Sequence, residues 1–283
     1  MACVDVSEIN DRKYNMKVVT WNTQGMKTGG DKISTQWKWL EETVGADVAV
    51  LTEAKVPVDG VPAGWNAFYK PGGVDKQRRW GTIVAARNYE IRDITNGVSG
   101  LRGFKMNHTW PGTVTIADIM VKGEIYATVA GVYGITLDLD GISNSTGWVS
   151  VPTIFEDLRD LFSSRRGKRL IIAGDFNLLP ESMNYFQPKK MINVVEFTAS
   201  ARPQLSGCTG CSMDDDCGHM WTHKNGNKPG AKVQHLDYIH VSKDLVGDIV
   251  SVVGGIADFP SIMNAEGKWE LSDHAPVVVE FAV

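Results

Sequence analysis

Nine short apolar runs recur along the chain, and they limit its fold more than any other feature. They lie at 17–21, 47–52, 81–86, 114–120, 125–132, 169–173, 236–241, 249–253 and 277–281. Runs of this length, bounded by turn-forming residues, read as strands. Only two segments carry a convincing helical period. Ile33, Trp37, Leu40 and Val44 share one face ahead of the stop signal Gly45; Ile154, Phe155, Leu158, Leu161 and Phe162 form a second stripe, ending at Arg165-Arg166-Gly167. The order strand, helix, strand, several strands, helix, strand, more strands predicts an α+β fold with two mixed sheets packed together and helices outside.

No internal repeat, low-complexity tract or Pro/Ser/Gly-rich linker divides the 283 residues, so one domain over 1–283 is expected. Residues 1–16 read as an N-terminal extension, and 193–232 as an irregular, cysteine-containing insertion. Loops of that length are often functional. Residues 1–16 carry Asp5, Glu8 and Asp11 and no apolar stretch. No signal peptide is read there, and no run approaches a membrane span. A cytoplasmic monomer without a membrane partner is the expectation.

The net charge of −4 excludes a general polyanion binder of the strongly basic kind. Two basic clusters remain. Arg165-Arg166-Gly167-Lys168-Arg169 reads as solvated loop charge, whereas in Lys76-Gln77-Arg78-Arg79-Trp80 the indole adds a stacking surface. Arg78, Arg79 and Trp80, with Gln24, are therefore the candidate substrate contacts. Cys208, Cys211 and Cys217, followed by His219, have a spacing that could hold a structural zinc; it equally allows one disulfide or free thiols.

Polar residues sit at one end of strand after strand. The first run leads into Asn22-Thr23-Gln24-Gly25 and the second ends at Glu53; the run through 132 ends at Tyr133, and that through 173 at Gly174-Asp175-Phe176-Asn177. Asp237 opens the next, and Leu271-Ser272-Asp273-His274-Ala275-Pro276 precedes the last. A single Asp at a strand end is ordinary turn chemistry. So many acidic and hydrogen-bonding groups, each beside a strand, point to metal-assisted phosphate chemistry in one cleft. His108, His223 and His240 read as lone imidazoles of the core or surface. Trp80, Trp110, Trp221 and Trp269 fall in loops near the expected mouth.

Gly-Asp-Phe-Asn followed by Ser-Asp-His, with Glu53 before them and Leu236-Asp237-Tyr238 between, resembles the endonuclease/exonuclease/phosphatase superfamily. The resemblance spans nearly the whole chain, from Trp21-Asn22 to Ser272-Asp273-His274. It implies a four-layer α/β/β/α sandwich with two packed mixed sheets. It also implies that Glu53 ligates Mg²⁺, for which Mn²⁺ can substitute, with Asn22 and Asp273 completing or supporting that site. Asp175 would orient or deprotonate the attacking water. Asn177 would hold a phosphate oxygen or position that water, and Tyr133 would contact the phosphate. His274 would bond the phosphoryl oxygen or relay a proton, with Asp237 fixing its tautomer. Which of Asp175 and His274 is the base stays open.

The activity so implied is a Mg²⁺-dependent nuclease that cuts nucleic acid, DNA first, to 3′-hydroxyl and 5′-phosphate ends. Thr20-Trp21-Asn22-Thr23-Gln24-Gly25 is similar to the opening of the cytolethal-distending-toxin nuclease subunits. The alternative is a phosphatase or phospholipase-type enzyme acting on inositol phosphates or lipid head groups. Against it, the chain lacks the Pro-Ala-Trp-Cys-Asp-Arg stretch of the inositol 5-phosphatases. One departure concerns substrate preference: His235 stands where many family nucleases carry Arg.

Overall fold

The computed structural model describes residues 15–25, 29–71, 81–100, 103–136, 147–186, 191–194, 220–228 and 230–283. Two six-stranded sheets dominate. One runs β15 (Ile249–Gly254), β16 (Val277–Ala282), β1 (Asn15–Asn22), β2 (Val48–Ala54), β4 (Gly81–Ala86), β3 (Asn66–Pro71). The other runs β11 (Met191–Asn193), β14 (Asp237–Ser242), β10 (Leu170–Asp175), β9 (Glu124–Tyr133), β8 (Val114–Val121), β5 (Glu90–Asp93). Two small ribbons pair β6 (Gly97–Val98) with β7 (Phe104–Lys105), and β12 (His223–Lys224) with β13 (Val233–Gln234).

Both large sheets share one wiring. Each holds a single parallel pair at its centre, β1 with β2 and β9 with β10, flanked by antiparallel neighbours. Parallel neighbours need a crossover, and here helices supply both. α1 (Gly30–Trp39) joins β1 to β2; α2 (Ser150–Asp157) and α3 (Arg159–Ser163) lie between β9 and β10.

Alternate residues of each central strand point to opposite faces, and both faces are covered, which is why these strands read as unbroken apolar runs. Val18, Val48, Val50 and Val84 from the first sheet meet Ala117, Val129, Ile171 and Ile239 from the second, forming the layer between sheets. Val19, Leu51 and Ile83 turn outward onto Ile33, Trp37 and Leu40. Ile116, Val132 and Ile172 turn outward onto Ile154, Leu158 and Leu161. The four layers expected from the resemblance are therefore present. No helix among the described residues is long and apolar enough to cross a membrane.

The helices differ from the sequence reading in detail. The first widens into a π-helical turn over Leu40–Val44 and stops at Gly45, whose φ of 69° suits the left-handed cap. The second breaks at Leu158 into α2 and α3. β3 and β5, both edge strands, carry no long apolar run in the sequence. β5 buries one residue of four, and β3 ends in a proline that only a strand end tolerates. The structure adds a short helix, α4 (Pro180–Phe186), whose 7 residues are too few to show an apolar period. Part of the expected irregular stretch 193–232 is ordered: β12 falls within it. The basic cluster at 165–169 is not simply solvated charge. Arg166 Nη2 lies 2.7 Å from buried Asp118, and Arg169 donates to Tyr126 O at 2.6 Å and to Asp248 at 2.5 Å.

Candidate active site

The carboxyl ends of all four parallel strands open on one place, as they do in α/β folds generally. β1 ends there at Asn22, β2 reaches Glu53 one residue before its end, and β9 and β10 end at Tyr133 and Asp175. β14 and β16 run the other way, so their entrances lie at the same end. They bring Asp237 and, just ahead of β16, Asp273 and His274. Asp175 sits directly opposite both Tyr133 and Asp237 in the ladder.

The backbone at these strand ends is unusual. Among the described residues, four that are not glycine have positive φ: Gln24 (52°), Glu53 (43°), Asn177 (50°) and Lys122 (50°). Three of the four are candidate site residues. Such conformations cost about 1–3 kcal/mol each and persist where surrounding structure holds them, most often at functional sites. Gly174 explains the glycine of Gly-Asp-Phe-Asn: its φ is 154°, and a Cβ there would lie 1.7 Å from Val132 O. Only glycine lets β10 run this close to β9 while turning Asp175 inward.

Side chains then link the strands into one network. Asn22, almost wholly buried, donates through Nδ2 to Asp175 Oδ2 at 2.8 Å and to Glu53 Oε1 at 3.3 Å. Its Oδ1 accepts from the Gln24 N–H at 2.9 Å. Tyr133 donates its hydroxyl to Glu53 Oε1 at 2.8 Å. Gln24 donates to Asp273 Oδ2 in a short bond. Asn177 donates its backbone N–H to Asp175 Oδ1 at 2.8 Å and its amide to Gly134 O at 2.8 Å. His274 donates from Nδ1 to Asp237 Oδ2 at 2.7 Å, and its Nε2 stands 3.9 Å from Asp175 Oδ2. Ser272 donates to Asn22 O at 2.7 Å and accepts from the His274 N–H at 3.2 Å, tying the two ends of the chain together. Trp21 donates its indole N–H to His274 O at 2.8 Å.

Burial of these charges sets their protonation. Asp175 is 1% exposed; its burial, then the nearby Asp237 carboxylate, push its pKa up to about 8, against the opposing pull of His274 and Asn22. Burial works against a charged His274. The Asp237 and Asp175 carboxylates outweigh it and raise the ring to about 10. At neutral pH the site thus combines an imidazolium with a carboxyl group poised near its titration point.

The donor set suits a hard divalent cation, which takes oxygen ligands and keeps several waters. Asp175, Asp237 and His274 bring potential ligand atoms within 4.8 Å of one another; with the imidazole protonated, the carboxylate oxygens of Asp175 and Asp237 are the ones open to a cation. Asp237 Oδ1 is buried and has no hydrogen-bond partner among the described residues, an orphaned acceptor that a cation or water satisfies. Asn22 links that group to Glu53, and Gln24 bonds Asp273 beside it. Asn22 aims its N–H groups at the carboxylates, so here it spaces two acidic groups rather than offering its oxygen.

Asn22, Gln24, Glu53, Tyr133, Asp175, Asn177, Asp237, Asp273 and His274 are all brought together. Arg78, Arg79 and Trp80 lie outside the described residues, as do Cys208, Cys211, Cys217 and His219. His235, in the position where arginine was expected, stacks on Tyr238 (4.4 Å, 12°) and donates to Asp237 O at 2.9 Å, a scaffold contact beside the site. His108 donates to Thr95 O at 2.9 Å and is structural. Trp221 and Trp269 pack against the apolar layer under α1, and Trp110 against the layer under α2 and α3. The sequence reading missed Thr222 and His223. Thr222 Oγ1 accepts from the backbone N–H groups of Leu236 (3.0 Å) and Asp237 (3.2 Å), and the His223 ring lies against that of His274. The signal was available: Asn225-Gly226 and Pro229-Gly230 are turn dipeptides between two extended segments.

No family model matches the chain, and no curated protein matches it. Solved structures do. AP endonuclease LMAP from Leishmania major superposes with a TM-score of 0.66 at 18% identity, covering 96% of this chain and 89% of that one. Truncated TDP2 from Caenorhabditis elegans gives 0.61 at 14%, covering 95% and 98%. The 3′ phosphatase NExo from Neisseria, bound to a product DNA hairpin, gives 0.58 at 17%, covering 94% and 99%. The likeness extends over the whole fold: this chain has the same two-sheet sandwich as these solved structures.

Proposed function

We propose that the protein is a divalent-metal-dependent hydrolase that cuts phosphodiester bonds of nucleic acid, with DNA as substrate and 3′-hydroxyl and 5′-phosphate ends as products. One observation carries the reading. A largely buried hydrogen-bonded chain runs from Tyr133 through half-buried Glu53 and buried Asn22 to Asp175, which faces the His274–Asp237 pair at 3.9 Å. A structural ion-pair cluster has no need of three strained backbones at its corners; a site that must present groups to a substrate does. The DNA hairpin held by NExo supports a nucleic-acid substrate.

Magnesium, or manganese in its place, would be held by Glu53 and Asp273, with Asn22 fixing the spacing to Asp175. When bound, it polarises a phosphoryl oxygen and offsets charge on the leaving oxygen. The chain's own groups do the rest. Asp175, its pKa brought near neutrality, takes the proton of the attacking water. The Asn177 N–H bond holds the Asp175 carboxylate in place. The His274 imidazolium, kept charged and correctly oriented by Asp237, donates from Nε2 to a phosphoryl oxygen as negative charge grows there. Tyr133 steadies Glu53 from the opposite side.

The test is purified protein with Mg²⁺ against supercoiled plasmid, an abasic-site duplex, single-stranded RNA and inositol phosphates. Plasmid nicking that EDTA abolishes is the expected result. Release of phosphate from inositol phosphates, with every polynucleotide left intact, would replace this reading with the phosphatase one.

A further inference from the structure

The bond from His274 Nδ1 to Asp237 holds one edge of the imidazole at 2.7 Å, while the opposite edge, which carries Nε2, has no such bond to Asp237. The fine tilt of the ring, and with it the aim of Nε2, depends also on what lies against the ring's faces. A second imidazole lies there. The centroid of His223 is 4.5 Å from that of His274, with the planes 40° apart.

The backbone sets this contact. His223 and His274 are partners in an antiparallel bridge. On one side Ala275 N–H donates to Thr222 O at 2.7 Å, and on the other Lys224 N–H donates to Asp273 O at 3.2 Å. Residues opposed between two such bonds form the closer kind of cross-strand pair, with both side chains on one face. The same ribbon grips the other half of the dyad, because fully buried Thr222 Oγ1 accepts from the backbone N–H groups of Leu236 and Asp237. Three consecutive residues therefore hold Asp237 and His274 in one frame, and His223 supplies the ring that meets the imidazole. An aromatic face beside an imidazolium is itself attractive.

We infer that His223 is a positioning residue for the proposed reaction, fixing the plane of the His274 ring by stacking on it so that Nε2 faces the phosphoryl oxygen. The inference rests on the role given to His274 above. The flat ring is what matters, not its nitrogen atoms.

The experiment compares His223→Ala and His223→Phe in the full chain, with melting temperature as the control for folding. One readout is turnover on supercoiled plasmid. The other is the downfield proton resonance of His274 Nδ1 bonded to Asp237, assigned by its loss in His274→Ala, and it needs no substrate. His223→Ala should lower kcat on the order of 10-fold with KM nearly unchanged, since a small misalignment of a reacting group is costly. Its resonance should broaden. His223→Phe should keep kcat within about twofold and keep the resonance. An alanine variant with unchanged kcat and resonance overturns the inference, and so does a phenylalanine variant as damaged as alanine. If the parent protein cuts no polynucleotide, the functional reading fails, while the resonance comparison still decides the role of His223.

Discussion

His240 lies behind the site and makes the protein sensitive to acid. It is 1% exposed and packs between Phe176 (5.7 Å, 72°) and Tyr238 (5.9 Å, 31°); neither ring nitrogen has a hydrogen-bond partner among the described residues. Burial, and secondarily the nearby His235, pull its pKa down from 6.5 to about 3. Between those two values the unfolded chain binds a proton that the folded chain refuses. This contribution to stability is therefore complete above about pH 6.5 and is lost as the pH falls towards 3. At pH 5 the loss relative to pH 8 is about 2 kcal/mol, from RT times the logarithm of the two protonation factors. Any folded pKa below about 4 gives nearly the same figure, because protonation of the unfolded chain dominates. His240→Phe puts carbon where the unpartnered nitrogens stood, against two aromatic neighbours. It should be at least as stable as the parent at pH 8 and should escape the loss at pH 5. Urea unfolding of both proteins at the two pH values, followed by tryptophan fluorescence, measures this directly. Other groups titrate alike in both, so the change in their stability difference isolates His240. A difference that stays constant within about 0.5 kcal/mol, well under the loss expected here, refutes the reasoning.

Glu53→Gln should leave the melting temperature nearly unchanged and reduce Mg²⁺-supported cleavage on the order of 10²-fold, read by plasmid nicking over a metal titration. Asp175→Asn and His274→Ala should each lower kcat on the order of 10²-fold, and the double variant should lose far less than the product of the two, because both groups act on one transition state. Arg166→Met strands the buried Asp118 carboxylate, which Arg166 grips at 2.7–3.0 Å and Thr128 bonds at 2.7 Å. It should cost about 3 kcal/mol in denaturant melts, and adding Asp118→Asn should recover part of that.

The central strands were legible in the sequence because burial on both faces leaves a continuous apolar signature, as in Leu170-Ile171-Ile172-Ala173. The site was legible because strand ends concentrate its polar groups: Glu53 stands out after Val48–Thr52 as Asp175 does after Ile172. The edge strand β5 gave no such signal, since it exposes three of its four residues and its apolar content is a single Ile91. Partnerships made only by long-range pairing were also hidden. Nothing local distinguishes Arg166 from the exposed Arg159, or His223 from His108, until the ladder sets one opposite His274 and the other beside Thr95.

The shared wiring of the two sheets has a consequence for the order of events during synthesis. β16 is an interior strand: it pairs with β15 on one side and β1 on the other, and β1 enters the first sheet some 250 residues earlier. Sheets closed by contacts so distant along the chain form late and slowly. Until β16 has left the ribosome, β1 has β2 on one side but no partner on the other, and Asn22 has no Ser272 to meet. The ribosome therefore releases every acidic group of the centre into a nascent chain that cannot yet assemble it. The site closes only when β16, and the segment ahead of it that carries Asp273 and His274, join β1.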